Sequence, residues 1–326
     1  MAMQKCWRWF GPSDPVTLSD MRQMGVEGVV TSLYDVPPGQ VWPQDKINSV
    51  KTSIEQAGLC WSVVESLPVA EGIKQHTENY DELVDAYNRS LQNLSQQGID
   101  TVCYNFMPAL DWVRTDLHYR LPSGGEVMYF DPVKFAVFDL FILQRPAAEA
   151  DYSEETIQQA ESLYKKMPVS DRKELAYSII ILTQGFIHGA IDSGEQDFQE
   201  KFLELLAKYD DIDKSRLRRH LASFLNDVVP TAERYGINLC IHPDDPPFPV
   251  LGLPRIVSTR QDLQWIFDQQ ALLANGLTFC SGSLCIRRDN DLADIVTAFA
   301  GRIHFVHLRN NRVLKNAAFY ESGHID

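Results

Sequence analysis

The sequence predicts an α/β barrel of parallel strands, built as a single domain over residues 1–326. Three observations predict it. Strand, loop and helix alternate regularly from residue 5 to 107 and again from residue 237 onward, a rhythm that implies parallel strands joined by right-handed crossovers. Several of the strand candidates stop at residues able to do chemistry, and a parallel barrel gathers such C-terminal strand ends on one face. A length of 326 residues with 44% apolar side chains supports a large core, enough for one big barrel or two ordinary domains.

Lys5-Cys-Trp-Arg-Trp-Phe10 is the first strand candidate, ended by Gly11-Pro-Ser-Asp-Pro15. A helix starts at Thr17-Leu-Ser-Asp20, with Asp20 placed as the acid of a capping box. The second strand, 28–33, is closed by Asp35 and Pro37-Pro38. Ile47, Val50, Ile54 and Ala57 recur at helical spacing over 45–57. A third strand covers 60–66, a longer amphipathic helix 79–97, and a fourth strand 101–106, which Pro108 ends. The rhythm then breaks. Residues up to Phe130 read as a long loop with a small hairpin turning at Leu121-Pro-Ser-Gly-Gly-Glu126. Residues 131–234 read as an almost wholly helical, charged insertion packed on or over the barrel mouth. The rhythm resumes with a strand at 237–242, a helix over Thr259–Leu273, a strand at 277–280, a helix over Asp291–Ala300 and a strand at 303–308. A closed barrel of this kind has eight strands. Seven are found, and no eighth is expected in Asn310–Asp326.

A formal charge of −14 argues against nucleic acid or an anionic membrane as partner, although local arginines can still attract an acidic substrate. No apolar run approaches the roughly 20 residues that cross a bilayer, and the N-terminus does not read as a signal peptide. The six cysteines, mostly within apolar runs, read as reduced thiols of a cytoplasmic protein. A homo-oligomer is left open.

The strand ends carry the candidate chemistry. Asn238-Leu-Cys-Ile-His242 stops at a histidine followed by Pro-Asp-Asp-Pro-Pro247, Leu277-Thr-Phe-Cys280 runs into Ser281-Gly-Ser, and Ile303-His-Phe-Val-His307 runs into Leu-Arg309-Asn. A lone histidine at a strand end is more often a core or loop-capping residue. Three donors at successive strand ends form a better case, though their spacing matches no compact metal motif. One thiolate with two imidazoles would favour Mn, Fe, Co or Zn over Mg or Ca. Asp244 and Asp245 are candidates to orient His242, against an ordinary role in the turn. Arg309 follows His307 by two residues, so on a strand it shares that face and is a candidate for a substrate carboxylate. The alternative is a salt bridge to a neighbouring loop. Arg8, between Trp7 and Trp9, needs a partner and is a second candidate for an anionic ligand. Glu65 and Asn105 are placed to hydrogen-bond hydroxyls. His304 alternates away from the site.

Several strings are long and unusual: Trp7-Arg-Trp-Phe-Gly-Pro-Ser-Asp-Pro15, Thr101-Val-Cys-Tyr-Asn-Phe-Met-Pro108, Asp111-Trp-Val-Arg-Thr-Asp116, Arg145-Pro-Ala-Ala-Glu-Ala-Asp-Tyr152, Ile241-His-Pro-Asp-Asp-Pro-Pro247 and Leu251-Gly-Leu-Pro-Arg-Ile-Val-Ser258. With them, the chain from about residue 5 to 326 resembles the mannonate dehydratase family. The resemblance implies a TIM barrel related to xylose isomerase. It implies conversion of D-mannonate to 2-keto-3-deoxy-D-gluconate and water in hexuronate breakdown, with Mn²⁺ or Fe²⁺. By motif, His242, Cys280 and His307 are implied as metal ligands.

Two departures go with the resemblance. Many family members carry a histidine where Tyr34 or Asp35 stands here. The family also continues past Asp326 into a last strand with a Pro-Asp-His-Gly segment, which supplies a fourth ligand and a catalytic histidine, and then a catalytic tyrosine. The general acid and base are therefore expected beyond Asp326, and residues 1–326 alone are expected to be inactive. His324 and Asp326 are not substitutes for them, because they align with an earlier Glu-x-x-His loop of the family. A sugar isomerase or epimerase on the same barrel, and a catalytically dead protein that only binds metal or sugar acid, are the alternatives.

Overall fold

A computed structural model describes residues 3–183 and 197–323. Among them, eleven strands run in chain order: β1 (Cys6–Arg8), β2 (Gly28–Thr31), β3 (Cys60–Glu65), β4 (Thr101–Tyr104), β5 (Asp116–Arg120), β6 (Glu126–Phe130), β7 (Asn238–Ile241), β8 (Asn275–Cys280), β9 (Ile303–His307), β10 (Asn310–Val313) and β11 (Phe319–Ser322). The helices are α1 (Leu18–Gln23), α2 (Gln44–Gln56), α3 (Glu71–Gln75), α4 (Tyr80–Gln96), α5 (Pro132–Val137), α6 (Glu154–Lys166), α7 (Val169–Tyr177), α8 (Phe198–Ala207), α9 (Lys214–Arg234), α10 (Arg260–Gln269), α11 (Ser281–Leu284) and α12 (Leu292–Phe299).

All seven expected strands pair into one parallel sheet in the order β1-β2-β3-β4-β7-β8-β9. Strands β2, β4 and β8 are buried along their whole length, as expected where both faces of a parallel sheet are covered. The outer strands β1 and β9 keep partly exposed residues, and Trp7 is half exposed. No ladder joins β1 to β9 among the described residues.

Local chemistry fixes the helix starts. Thr17 and Asp20 form the expected capping box on α1, and Thr259 and Asp262 form another on α10, each satisfying backbone N–H groups that a helix start leaves free. Helix α9 leads directly into β7 and packs along α4. Tyr80 Oη donates to Asp227 (2.7 Å), Ser95 Oγ donates to the Tyr235 carbonyl (2.7 Å), and Tyr87 meets Phe224 edge-on. It thus takes the place of the crossover helix between β4 and β7. This corrects the expectation that all of 131–234 is an insertion packed on or over the barrel mouth, since its last helix belongs to the barrel's own alternation of strand and helix.

The C-terminal stretch holds two strands that the sequence patterns do not announce. Residues after 310 contain β10 and β11, and neither joins the parallel sheet. They pair with the predicted hairpin β5–β6 into a four-stranded antiparallel sheet, order β10-β11-β6-β5. The turn between them hides from sequence patterns because Ala317, not a glycine, takes the left-handed conformation (φ +62°). Phe319 stacks on Phe130 (5.1 Å between ring centres), and both are buried. His324 and Asp326 lie outside the described residues.

Candidate metal centre at the strand ends

Side chains alternate along a strand, so residues two apart share a face. Val30, Val63, Cys103, Cys240 and Phe305 form a separate buried cluster, with Cys6 packed against it. Thr278 lies at the same level, its hydroxyl donating to Cys103 Sγ (3.2 Å). These residues fill the inside of the curled sheet. Two residues further along each strand come Arg8, Glu65, Asn105, His242, Cys280 and His307. One step of the pleat therefore carries the candidate residues from the plugged interior up to the mouth at the C-terminal strand ends.

The structure brings His242, Cys280 and His307 together, with their ligand atoms all within 4.8 Å of one another. His242 Nδ1 donates to the Pro243 carbonyl (2.6 Å), and His307 Nε2 donates to Glu65 Oε2 (3.2 Å). Both imidazoles thus use one nitrogen as a donor. Their remaining nitrogens, His242 Nε2 and His307 Nδ1, face each other at 3.2 Å. In neutral rings these are two opposed lone pairs, and the fully buried Cys280 sulfur stands beside them. Such an arrangement calls for positive charge between the donors, either a proton on an imidazole or a metal cation. Two donors on one ion, each about 2.0–2.3 Å from it, stand about 3–4 Å apart, so the spacing and the donor set fit a divalent transition metal.

The titration behaviour follows from this crowding. Burial opposes the charged form of every member. At His307 the Glu65 carboxylate outweighs burial, followed by Cys280, and raises the imidazole to about 10. At Glu65 the charges of His307 and then Arg8 outweigh burial and hold the carboxyl well below the usual range. At Cys280 the Arg309 guanidinium, then His242, outweigh burial and favour the thiolate. The Cys280 charge in turn raises His242.

The other predicted residues are placed as follows. Arg8 Nη1 pairs with Glu65 Oε2 (3.2 Å), supplying the partner its position demanded. Asn105 borders the mouth, donating to Asp111 Oδ1 (3.0 Å) and accepting from the Met107 N–H (3.2 Å). Arg309 ion-pairs with Asp245 and lies 3.4 Å from Glu321, so it does bridge to a neighbouring loop. The side chains of Arg8 and Arg309 remain 27% and 30% exposed. His304 faces outward, against the Leu273 carbonyl. Tyr34 Oη donates to the Trp9 carbonyl, and Asp35 pairs with Lys46.

One expectation is corrected, and the setting of a second residue is filled in. Asp244 and Asp245 do not orient His242, whose Nδ1 is held by the adjacent carbonyl. Asp244 instead accepts from the Val257 N–H (2.7 Å) and the Ser258 hydroxyl (2.9 Å), and Asp245 takes a bidentate bond from the fully buried Arg114 (2.7 and 3.1 Å). Glu65 was expected to hydrogen-bond a hydroxyl; its Oε2 is engaged as the carboxylate partner of a candidate ligand histidine and of Arg8, a pairing that fixes ring orientation at metal sites. Arg114 was not singled out from the sequence. Its only signal was a charge within the tight string Asp111-Trp-Val-Arg114-Thr, and its guanidinium lies over the rings of Trp112 and Phe319. Asp111 was also passed over. Burial raises its carboxyl above the ordinary value, and His242 and then Lys74 partly offset that.

A parallel α/β sheet with two imidazoles and a thiolate at its C-terminal mouth defines a candidate metal-dependent protein. The chain matches the family model of D-mannonate dehydratase (UxuA) over residues 3–326 and belongs to that family. It is 47% identical over 324 residues to a mannonate dehydratase of Marinomonas sp. (strain MWYL1), covering 99% of this chain and 81% of the relative. It is 47% identical over 326 aligned residues to one of Chromohalobacter salexigens, with the same coverage. A crystal structure of mannonate dehydratase from Streptococcus suis serotype 2 superposes with a TM-score of 0.76 at 32% identity, covering 100% of this chain and 78% of that one.

Proposed function

We propose that the protein dehydrates D-mannonate to 2-keto-3-deoxy-D-gluconate and water in hexuronate breakdown, with Mn²⁺ or Fe²⁺ held by His242, Cys280 and His307. The observation that carries this reading is the pair of opposed imidazole nitrogens beside a buried cysteine sulfur, in a chain of this family. A divalent ion bound there supplies Lewis-acid stabilisation of negative charge.

The reaction removes the C2 proton and expels the C3 hydroxyl. The C2 carbon adjoins a carboxylate, so taking its proton adds a second negative charge next to the first. Fixed cationic groups at that end of the substrate stabilise the charge as it develops. Arg8 and Arg309 are the candidates: Arg8 has a planar fork able to meet a carboxylate, and Arg309, whose Nη2 is held by Asp245 and Ser283, adds fixed positive charge beside it. Asn105 is the candidate partner for a substrate hydroxyl. Glu65 orients His307 and, already holding Arg8 and His307, is not assigned as the base. We assign no general acid or base among the described residues.

We read the seven-stranded parallel sheet as part of an eight-stranded TIM barrel of the xylose-isomerase kind, forming one domain with a helical insertion that ends before α9. A cytoplasmic setting suits this reading, since a reducing compartment keeps the free thiol of Cys280 available as a ligand. No helix among the described residues is long and apolar enough to cross a membrane.

The test uses the protein expressed from its own gene, incubated with D-mannonate before and after chelation. Formation of 2-keto-3-deoxygluconate that is lost on chelation and restored by Mn²⁺ or Fe²⁺ is expected. A product that keeps all the oxygens of mannonate would instead indicate an epimerase or isomerase and overturn the proposal.

A further inference from the structure

Cys280 is the residue that leads into α11 (Ser281–Leu284), whose first turn carries Ser281-Gly-Ser283. Ser283 is fully buried. Its Oγ lies 3.3 Å from Cys280 Sγ and 3.2 Å from Asp245 Oδ2, and it accepts from Arg309 Nη2 at 3.0 Å. A hydroxyl has one proton to give, so the sulfur and the carboxylate compete for it. Asp245 is already supplied. Its Oδ1 accepts from Arg114 Nη1, and its Oδ2 accepts from Arg114 Nη2 and Arg309 Nη2. With both acceptor sites of Oδ2 filled by charged donors, the Ser283 proton is directed at the sulfur.

The backbone of the turn is cut to fit this arrangement. A Cβ on Gly282 would overlap Arg309 Nε and stand 2.9 Å from Arg309 Cβ and Cγ. Only a residue without a side chain lets Arg309 lie across the turn and hold the Ser283 oxygen. Arg309 is fixed by Asp245, and Asp245 by Arg114, whose guanidinium is closed in by Phe319 of the antiparallel sheet. The chain of contacts therefore runs from that sheet to the sulfur.

We infer that Ser283 is a positioning residue for Cys280: its O–H donates to Sγ and aims the sulfur at His242 and His307, while Arg309, seated over Gly282 and anchored through Asp245 on Arg114, holds the serine oxygen in place. The inference rests on the reading of Cys280 as a metal ligand. Donors behind a ligand fix its direction and tune its electron density. Removing this one leaves the sulfur more electron-rich and less well aimed.

The test is Co²⁺ loading of the full chain, read by the sulfur-to-cobalt charge-transfer absorption and by retention of cobalt against a chelator. In Ser283→Ala the band is expected to move to longer wavelength, and cobalt retention to fall about 10- to 100-fold, with circular dichroism unchanged. Gly282→Ala, which displaces Arg309 without touching the hydroxyl, is expected to move the band in the same direction. Thr278→Val removes a buried hydroxyl one level below, bonded to Cys103, and should leave band and retention as they are. An unchanged band in both Ser283→Ala and Gly282→Ala, or an equal change in Thr278→Val, overturns the inference. Absence of any such band in the unmutated protein would instead overturn the assignment of Cys280 as a ligand.

Discussion

The Arg114–Asp245 pair offers a test of how the mouth is held together. Arg114 is completely buried and Asp245 is 2% exposed, joined by two N–H···O bonds of 2.7 and 3.1 Å. Asp245→Ala leaves a guanidinium in the interior with the Val113 carbonyl (2.8 Å), the rings of Trp112 and Phe319, and a longer 3.8 Å contact to Glu321 Oε1. Stranding one partner of a buried ion pair costs about 3–5 kcal/mol. Arg114→Met strands Asp245 less severely, because Arg309 remains beside it, so its cost falls near the lower end of that range. The double variant strands neither group, and its loss should fall short of the sum of the two by about 2–3 kcal/mol. Urea denaturation of the three variants measures this through the midpoints, compared at equal transition slopes. Single costs below about 1 kcal/mol, or strictly additive ones, would refute the description of a buried, coupled pair.

Other predictions follow from the same geometry. Glu65→Gln keeps the shape but loses the carboxylate that holds His307, and should weaken Mn²⁺ binding about 10- to 100-fold in a metal-buffer titration; unchanged affinity would remove Glu65 from the site. Arg8→Lys and Arg309→Lys each lose the planar fork and should raise the KM for mannonate about tenfold, on the order of one lost charge-assisted bond; steady-state constants unchanged in both would mean that other groups hold the carboxylate. At Asp245 burial opposes ionisation, but Arg114 and then Arg309 hold the carboxyl well below its ordinary value. Its contribution to stability is therefore fully present above the unfolded-state value of about 4 and is lost as pH falls below that. Urea midpoints should drop on acidification in the unmutated protein and much less in the Asp245→Ala/Arg114→Met variant, and parallel curves would contradict this.

The sequence carried the parallel sheet well because its information is local. Each strand is an apolar run ended by turn residues, and Thr17 and Thr259 mark helix starts through side chains three residues away. The same locality brought out the candidate metal centre: His242, Cys280 and His307 each stand at a strand end, and the period of the pleat brings them to one level. What stayed hidden depends on pairing between distant segments. Strands β10 and β11 are short, largely polar and joined by a left-handed alanine, and β11 is completed only by β6. Asp245 looked like a loop acid beside His242, yet its partners are Arg114 and Arg309, contributed by other segments. Glu65 was legible as a strand-end acid, but its engagement with both Arg8 and His307 comes from curling the sheet until β3 and β9 face each other across the mouth.

The proposed function rests on one divalent cation held between His242, Cys280 and His307. Crystals of the protein grown with Mn²⁺ and measured just above and below the manganese absorption edge test this most directly. A single dominant anomalous peak is expected within bonding distance of His242 Nε2, Cys280 Sγ and His307 Nδ1, with Glu65 still on the other side of the His307 ring. A peak elsewhere, or none in crystals that contain manganese, would contradict it.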